Sequence, residues 1–424
     1  MDKINFTNRS FIKSIVVLGG GTALAQAIPA LTSPILTRLY SPEDFGLWAI
    51  FLAMTYAILP VVSGKYEIAM ATVKEQKEVC LLYEVSLWVT VVVSSLGYLL
   101  LLEYAEEILN LLDKKNLGDW VFAIPFLLCL LGIFNILSYV ANSQKKYALI
   151  SKNKIIQAVV TAMVTIGMGL LGSGFIGYVI GYVFGTLLAN IHGMHRLKID
   201  IRLLSLLEFS KDKKNIAFKY KDFPLFNASS SLLSGFQQRI PFFFIAPYFS
   251  DAILGNYMLM FQVAFAPLSF VAFSISQVNL KKVVELIHSG ENITRYLFKL
   301  TGVLLMIGLI PTLVSVFYAP QIFTVIFGKQ WSQAGTYLQI LMPAFAIQFI
   351  VSTLSSTLDA TQHNKLGALW KVLAFISTLS VFMVIAPRKD FESLLYANLI
   401  NTSVIYLLYY FIIIYAASHV KKYA

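Results

Sequence analysis

Residues 85–102 read VSLWVTVVVSSLGYLLLL, a stretch without a single charge. A run of that length and character crosses a ~30 Å hydrocarbon core as a helix. It is not a transmembrane β-strand, whose pattern alternates polar and apolar residues. In lipid every backbone N–H and C=O needs an internal partner, so helices or a closed barrel are the only choices. Continuous apolar runs recur along the whole chain, which selects helices. The 424 residues are 58% hydrophobic and 13% charged, about half the charge of a soluble domain. Too few polar side chains remain to cover a large water-facing surface, so the chain reads as an all-α integral membrane protein.

Apolar runs long enough to span predict twelve transmembrane helices. Their approximate ranges are 14–37, 45–63, 80–102, 119–140, 153–172, 174–194, 223–248, 253–279, 296–319, 335–357, 366–386 and 393–417. The N-terminus imitates a secretory signal: Lys3, Arg9 and Lys13 precede an apolar stretch, and Ala23-Leu24-Ala25 resembles a cleavage site. Apolar character continues to Leu36, so the segment is expected to stay as the first span. With the N-terminus inside, 26 Lys and Arg residues fall on the inner side. Six fall outside: Arg38, Lys114, Lys115, Lys329, Arg388 and Lys389. That asymmetry places both termini in the cytoplasm. The net charge of +11 then marks topology and the inner leaflet, not nucleic-acid binding.

The one long polar segment, 196–222, separates six helices from six. This predicts an N-terminal lobe at 1–195, a cytoplasmic amphipathic linker at 196–222 and a C-terminal lobe at 223–424. An even number of helices per lobe makes any internal repeat parallel. A repeat is visible at an offset of 209: YSPEDFGLW at 40–48 matches FSDAILGNY at 249–257, pairing Ser41 with Ser250 and Gly46 with Gly255. The same offset pairs Thr22, Gln26 and Pro29 with Ser231, Gly235 and Gln238, each set lying along one helix face. Such faces turn toward a neighbouring helix or a wet cavity. For Gln26, Asn227 and Gln238 both readings stand; for the glycines close packing is the simpler one. A third stripe, Gln348, Ser352, Ser355 and Asp359, ends in a carboxylate. A hydrated helix terminus and an ion-coupling group both account for Asp359.

Arg239 lies in the stretch GFQQRIPFFF, and a guanidinium keeps its charge in a protein. About 15 residues past the inner end of helix seven, it sits roughly 22 Å into the ~30 Å core, toward the outer side. Contact with an anionic substrate, an interhelical partner and snorkelling to water are the three readings. Glu84, near the start of helix three, reaches toward the inner surface. Lys65 and Glu67 sit at the inner end of helix two, where an intra-loop pair is the plain explanation. His192 and His195 close a helix beside a basic loop, and a solvated helix end fits them better than a metal pair. The two cysteines, Cys80 and Cys129, form no disulfide framework.

Four stretches resemble a known family: LTRLYSPEDFGLWA at 36–49, GKYEIAM at 64–70, FKYKDFPLFNASSSLLSGFQQRIPFFF at 218–244 and FGKQWSQAGTYLQIL at 327–341. In this order, on a six-plus-six plan, they are similar to the polysaccharide transporter family of the multidrug/oligosaccharidyl-lipid/polysaccharide exporter superfamily, which includes Wzx-type O-antigen flippases. The resemblance implies two six-helix lobes around a central cavity that opens to each side in turn. It implies movement of undecaprenyl-pyrophosphate-linked oligosaccharide, for O-antigen or capsule, across a bacterial inner membrane. It implies no cofactor beyond a coupling proton or sodium ion. The partners implied are the lipid-linked oligosaccharide, membrane lipids and other polysaccharide-assembly proteins. Substrate-binding candidates are Arg239, Gln238, Asn227, Gln26, Arg38 and Lys65; ion-coupling candidates are Asp359, Glu84 and Glu67. One departure stands out: members often place several cations in the cavity, whereas here only Arg239 reads as a basic residue well within a span.

A multidrug or cation exporter of the same superfamily is the alternative, but it favours acidic residues deep in the helices. A glycan polymerase is expected to carry a sizeable outer loop, and a glycosyltransferase an acidic metal-binding cluster or a folded domain. The longest outer loop lies near Glu103 to Gly118. The absence of a GxxxxGK[ST] loop excludes ATP-driven pumping by this chain alone.

Overall fold

A computed structural model describes residues 9–73, 75–199 and 210–420. The signal-like residues before Arg9, the linker residues 200–209, and Lys421 and Lys422 lie outside them. Twelve long helices run through the described residues. In the first half they are α1 (Arg9–Leu39), α2 (Pro42–Ile58), α3 (Gln76–Leu111), α4 (Ala123–Ser143), α5 (Tyr147–Leu170) and α6 (Ile176–Leu197). The short α7 (Lys211–Lys219) follows. Then come α8 (Ser229–Tyr248), α9 (Asp251–Ser289, with a π-helical turn at 261–265), α10 (Ile293–Phe327), α11 (Ser332–Leu354), α12 (Asn364–Ile385) and α13 (Phe391–Ser418).

Ten of the twelve are long and apolar enough to cross a membrane, against the twelve spans expected. The other two are α1, which keeps an uncharged apolar run over 15–32, and α8, which falls short by its composition. The first carries GGGT and Gln26, and the second SSS, Gln237, Gln238 and Arg239. These are the two helices whose polar stripes correspond at the offset of 209. Several helices also outrun their apolar runs: α3 has 36 residues and α10 has 35, more than 50 Å each at ~1.5 Å per residue. Their polar ends, such as EYAEEILNL, continue the helix beyond the lipid-compatible stretch.

The repeat is legible in the backbone. Ser41 and Ser250 both N-cap the helix that follows, accepting hydrogen bonds from Asp44 N–H (3.2 Å) and Ile253 N–H (3.3 Å). The first is a full capping box, since the Asp44 carboxylate accepts from Ser41 N–H at 3.0 Å. Gly46 and Gly255 are buried at corresponding places.

The chain divides into two compact units, Met1–Arg239 and Ile240–Ala424, so the division falls inside α8. In the first unit α1 packs on α5, α5 on α6 and α3 on α4. Glycines allow the closest of these approaches: a Cβ on Gly185 would lie 2.7 Å from the Gln157 carbonyl oxygen. A cluster of Met70, Leu82, Val85, Ile136, Leu137 and Ile216 closes one end of this unit. In the second unit α10 packs on α11 and α11 on α13, around Leu297, Leu304, Phe349, Leu354, Trp370 and Ile413.

Candidate functional site

The family-like stretches are chiefly devices that fix helix ends. In YSPEDFGLW, Asp44 Oδ1 accepts from Phe175 N–H at 2.9 Å and Tyr40 donates to the Thr165 carbonyl at 2.6 Å. Both bonds tie the α1–α2 corner to α5 and α6. In FGKQWSQAG, Ala334 N–H donates to Asn256 Oδ1 at 3.1 Å, and Trp331 is fully buried. In GKYEIAM, Gly64 and Lys65 both take positive φ, 64° and 62°, to turn the chain into the short helix Tyr66–Ala69.

A polar track crosses the interior of the first unit. Lys154, on α5, donates to Thr22 of α1 at 3.3 Å. One turn further along α5, Gln157 donates to Thr186 of α6 at 2.9 Å. Thr186 bonds back to the Tyr182 carbonyl at 2.7 Å. The Tyr182 hydroxyl is hydrogen-bonded to that of Tyr56 on α2, and the Arg239 guanidinium stands over the Tyr56 ring, 5.1 Å from its centroid. Gly235 permits this approach of α8 to α2, since a Cβ there would lie 2.9 Å from Pro60 Cγ. Trp48 meets the Tyr182 ring edge-on at 5.8 Å and stacks on Tyr178 at 5.5 Å, bracing the tyrosines. Five helices thus contribute hydroxyls, an amide and aromatic faces, with a cation at each end. Cations recognise phosphate oxygens, while hydroxyls, amides and ring faces suit a polyhydroxylated group.

The expected residues distribute unevenly about this track. Arg239 is in it, half-buried, with Tyr56 as an interhelical partner. Gln26 lies one helical turn past Thr22 on α1. Gln26, Asn227 and Gln238 are exposed and share no side-chain hydrogen bond with one another. Arg38 is exposed and donates to the Pro34 carbonyl at 2.5 Å. Lys65 is half-buried. The expected Lys65–Glu67 pair is not made: Glu67 is 3% exposed and accepts from the Ser63 hydroxyl at 2.7 Å instead, because the left-handed turn at Lys65 starts the helix that carries Glu67 inward. Glu84 is ion-paired with Lys213 at 3.1 Å. Asp359 is exposed; the Asn364 amide, oriented to satisfy its neighbours, donates to it at 3.1 Å. The stripe above Asp359 packs inward, with Gln348 donating to the Tyr406 hydroxyl at 2.8 Å.

Lys154 is a second cation of the track, beside the expected Arg239. The expected helix began at 153, which left this lysine at the edge of a loop. In the structure α5 starts at Tyr147, so Lys154 lies about 10 Å along it. The signal was available, since Thr22 and Gln26 define a polar face on α1 that needs a polar neighbour. His192 Nδ1 lies 2.6 Å from Asn153 Oδ1, so it serves as a helix–helix bond and not as one of a metal pair. Among the described residues no group of three His, Cys, Asp or Glu could hold a metal ion.

Residues 35–336 match the family described as polysaccharide biosynthesis protein. Succinoglycan biosynthesis transport protein ExoT of Rhizobium meliloti (strain 1021) is 22% identical over 356 residues, 82% of this chain and 69% of that protein. The fold is similar to the inward closed conformation of lipid II flippase MurJ, with TM-score 0.72, 14% identity, and coverage of 93% of this chain and 86% of that one. It is also similar to an inward-facing multidrug resistance MATE family transporter of the MOP superfamily, with TM-score 0.66, 13% identity, and coverage of 93% and 96%. The fold is shared with these multi-pass membrane transporters, and the chain belongs to the polysaccharide biosynthesis protein family.

Proposed function

We propose that the chain is a flippase for undecaprenyl-pyrophosphate-linked oligosaccharide repeat units of O-antigen or capsule. It moves them from the inner to the outer leaflet of a bacterial inner membrane by alternating access of two lobes, 1–195 and 223–424, joined by the linker 196–222. Both termini face the cytoplasm, and a proton or sodium ion is exchanged. The observation that carries this reading is the polar track with Lys154 and Arg239 at its ends. An anionic, sugar-bearing head cannot cross hydrocarbon unaided, since each unpaired polar group costs a few kcal/mol and a charge far more. A cation-bearing, hydroxyl-lined surface replaces its hydration, and a guanidinium offers forked donors that suit a pyrophosphate. The cations count against a carrier for cationic drugs.

The test is surface glycan in a deletion strain complemented with wild type, Lys154→Met, Arg239→Met or Arg239→Lys at matched protein levels. Deletion abolishes the glycan, each Met variant restores roughly a tenth or less, and Arg239→Lys restores part of it, as loss of one charge-assisted contact of ~1.5–3 kcal/mol predicts. A deletion strain with normal glycan overturns the flippase assignment. Full activity of both Met variants would move the phosphate contact to Arg38 and Lys65.

A further inference from the structure

The helix α7 does more than connect. One side is fastened to the first unit: Ile216 is buried in the apolar cluster, Lys213 pairs with Glu84, and Lys219 and Tyr220 both bond Glu78. Tyr66 donates to the Ala217 carbonyl at 3.3 Å. The Glu78 contact also pushes the Lys219 ammonium pKa up. None of these bonds is needed to join α6 to α8, yet together they hold the walls of a hollow of about 440 Å³ lined by Tyr66, Lys214, Asn215, Ala217, Phe218 and Lys221.

The lining has a definite chemistry. Lys214 and Lys221 are exposed, and no carboxylate among the described residues pairs with either. The Lys221 ammonium stands 4.2 Å from the Phe218 ring centroid, which steadies it. The lining also carries Phe218, which is 70% exposed, and a few residues on in the chain Leu225 and Phe226 are 59% and 71% exposed. Aromatic rings so exposed beside lysines are disfavoured in water. They suit the boundary of headgroups and acyl chains, where ring and chain sit in the hydrocarbon edge and ammonium groups meet phosphates.

We infer that this hollow is a binding site for an anionic phospholipid of the inner leaflet. Lys214 and Lys221 hold the phosphate, Asn215 supplies a neutral donor, and Phe218, Leu225 and Phe226 lie along the acyl chains. Charge complementarity selects an anionic headgroup, and the apolar rim selects a lipid over a free anion. The site rests on the orientation proposed above and is independent of the transported cargo.

The full-length protein in a neutral detergent is titrated with phosphatidylglycerol, phosphatidylcholine or undecaprenyl phosphate, and bound lipid is read by native mass spectrometry. Wild type prefers phosphatidylglycerol to phosphatidylcholine. The double variant Lys214→Gln/Lys221→Gln binds phosphatidylglycerol about thirtyfold more weakly, the loss expected for two lysines near a lipid surface. Lys281→Gln/Lys282→Gln, which removes the same charge elsewhere, binds as wild type. Phe218→Ser, with both lysines kept, shows a several-fold loss. Equal binding by wild type and Lys214→Gln/Lys221→Gln overturns the site, as does an equal loss in the two lysine pairs. Undecaprenyl phosphate bound through Lys214 and Lys221 in preference to phosphatidylglycerol overturns the phospholipid assignment.

Discussion

The contact between Arg239 and Tyr56 can be measured as a coupling energy. The guanidinium is 5.1 Å from the ring centroid, inside the ~6 Å range of cation–π attraction, and both residues are half-buried. Such contacts are worth ~0.5–1 kcal/mol when exposed and ~2 when desolvated, so we expect about 1–1.5 kcal/mol here. Single substitutions cannot isolate it, because Tyr56→Leu also removes the hydroxyl bonded to Tyr182, itself worth ~1 kcal/mol. A double-mutant cycle of Tyr56→Leu with Arg239→Met cancels that contribution. The assay is reversible unfolding in mixed micelles at increasing denaturing detergent, followed by tryptophan fluorescence. A second cycle, Tyr56→Phe with Arg239→Met, keeps the ring and removes only the hydroxyl. A cation held by the ring face gives a coupling near zero in the second cycle and about 1–1.5 kcal/mol in the first. A first coupling below ~0.3 kcal/mol, or equal couplings in both cycles, would falsify the ring-face contact.

Two further expectations concern stability. Gly335→Ala would place a Cβ 2.5 Å from Pro320 Cα and 2.6 Å from the Ala319 carbonyl oxygen. With backbone on both sides there is no rotamer to yield, so α10 and α11 must part at a cost of about 1–3 kcal/mol. Gly302→Ala on α10 meets nothing within 4 Å and should hold or slightly raise the melt, since Ala is the better helix former; equal melts for the two variants would refute the packing argument. Removing the Glu84 carboxylate from Lys213, which is 4% exposed, should loosen α7. Because the Glu84 side chain is 35% exposed, we expect only ~1 kcal/mol, seen as a several-fold faster trypsin cut within Lys211–Lys219. Lys213→Met should loosen it less, because a buried thioether needs no counter-charge; the reverse order would show that the pair does not fasten the helix.

The apolar runs reveal the helices because lipid demands continuous hydrophobicity along each span, and that demand is local in sequence. The repeat at 209 is visible for a similar reason, since a capping serine sits next to the helix it starts. Helix ends were less legible. Hydropathy reports where the chain leaves lipid, whereas hydrogen bonding decides where the helix stops, so α3 and α10 run on into polar segments. That same mismatch hid Lys154: counted with Lys145, Lys146 and Lys152 as loop charge, it is in fact on α5 facing Thr22.

The track itself is tertiary. Tyr56 and Tyr182 are separated by 126 residues, and each taken singly reads like one more interfacial aromatic. What distinguishes them is a shared hydroxyl bond and a cation over one ring, and neither leaves a mark on local composition. The polar stripes of α1 and α8 carry the usable trace. A helix that gives up hydropathy in a membrane must recover the cost through polar neighbours, and both do so within the first unit. Thr22 meets Lys154, and Arg239 meets Tyr56 on a helix brought close by Gly235. The polar stripes therefore mark the same two helices that reach the polar interior. In a chain of this kind the helices that carry polar stripes are the first place to look for the site.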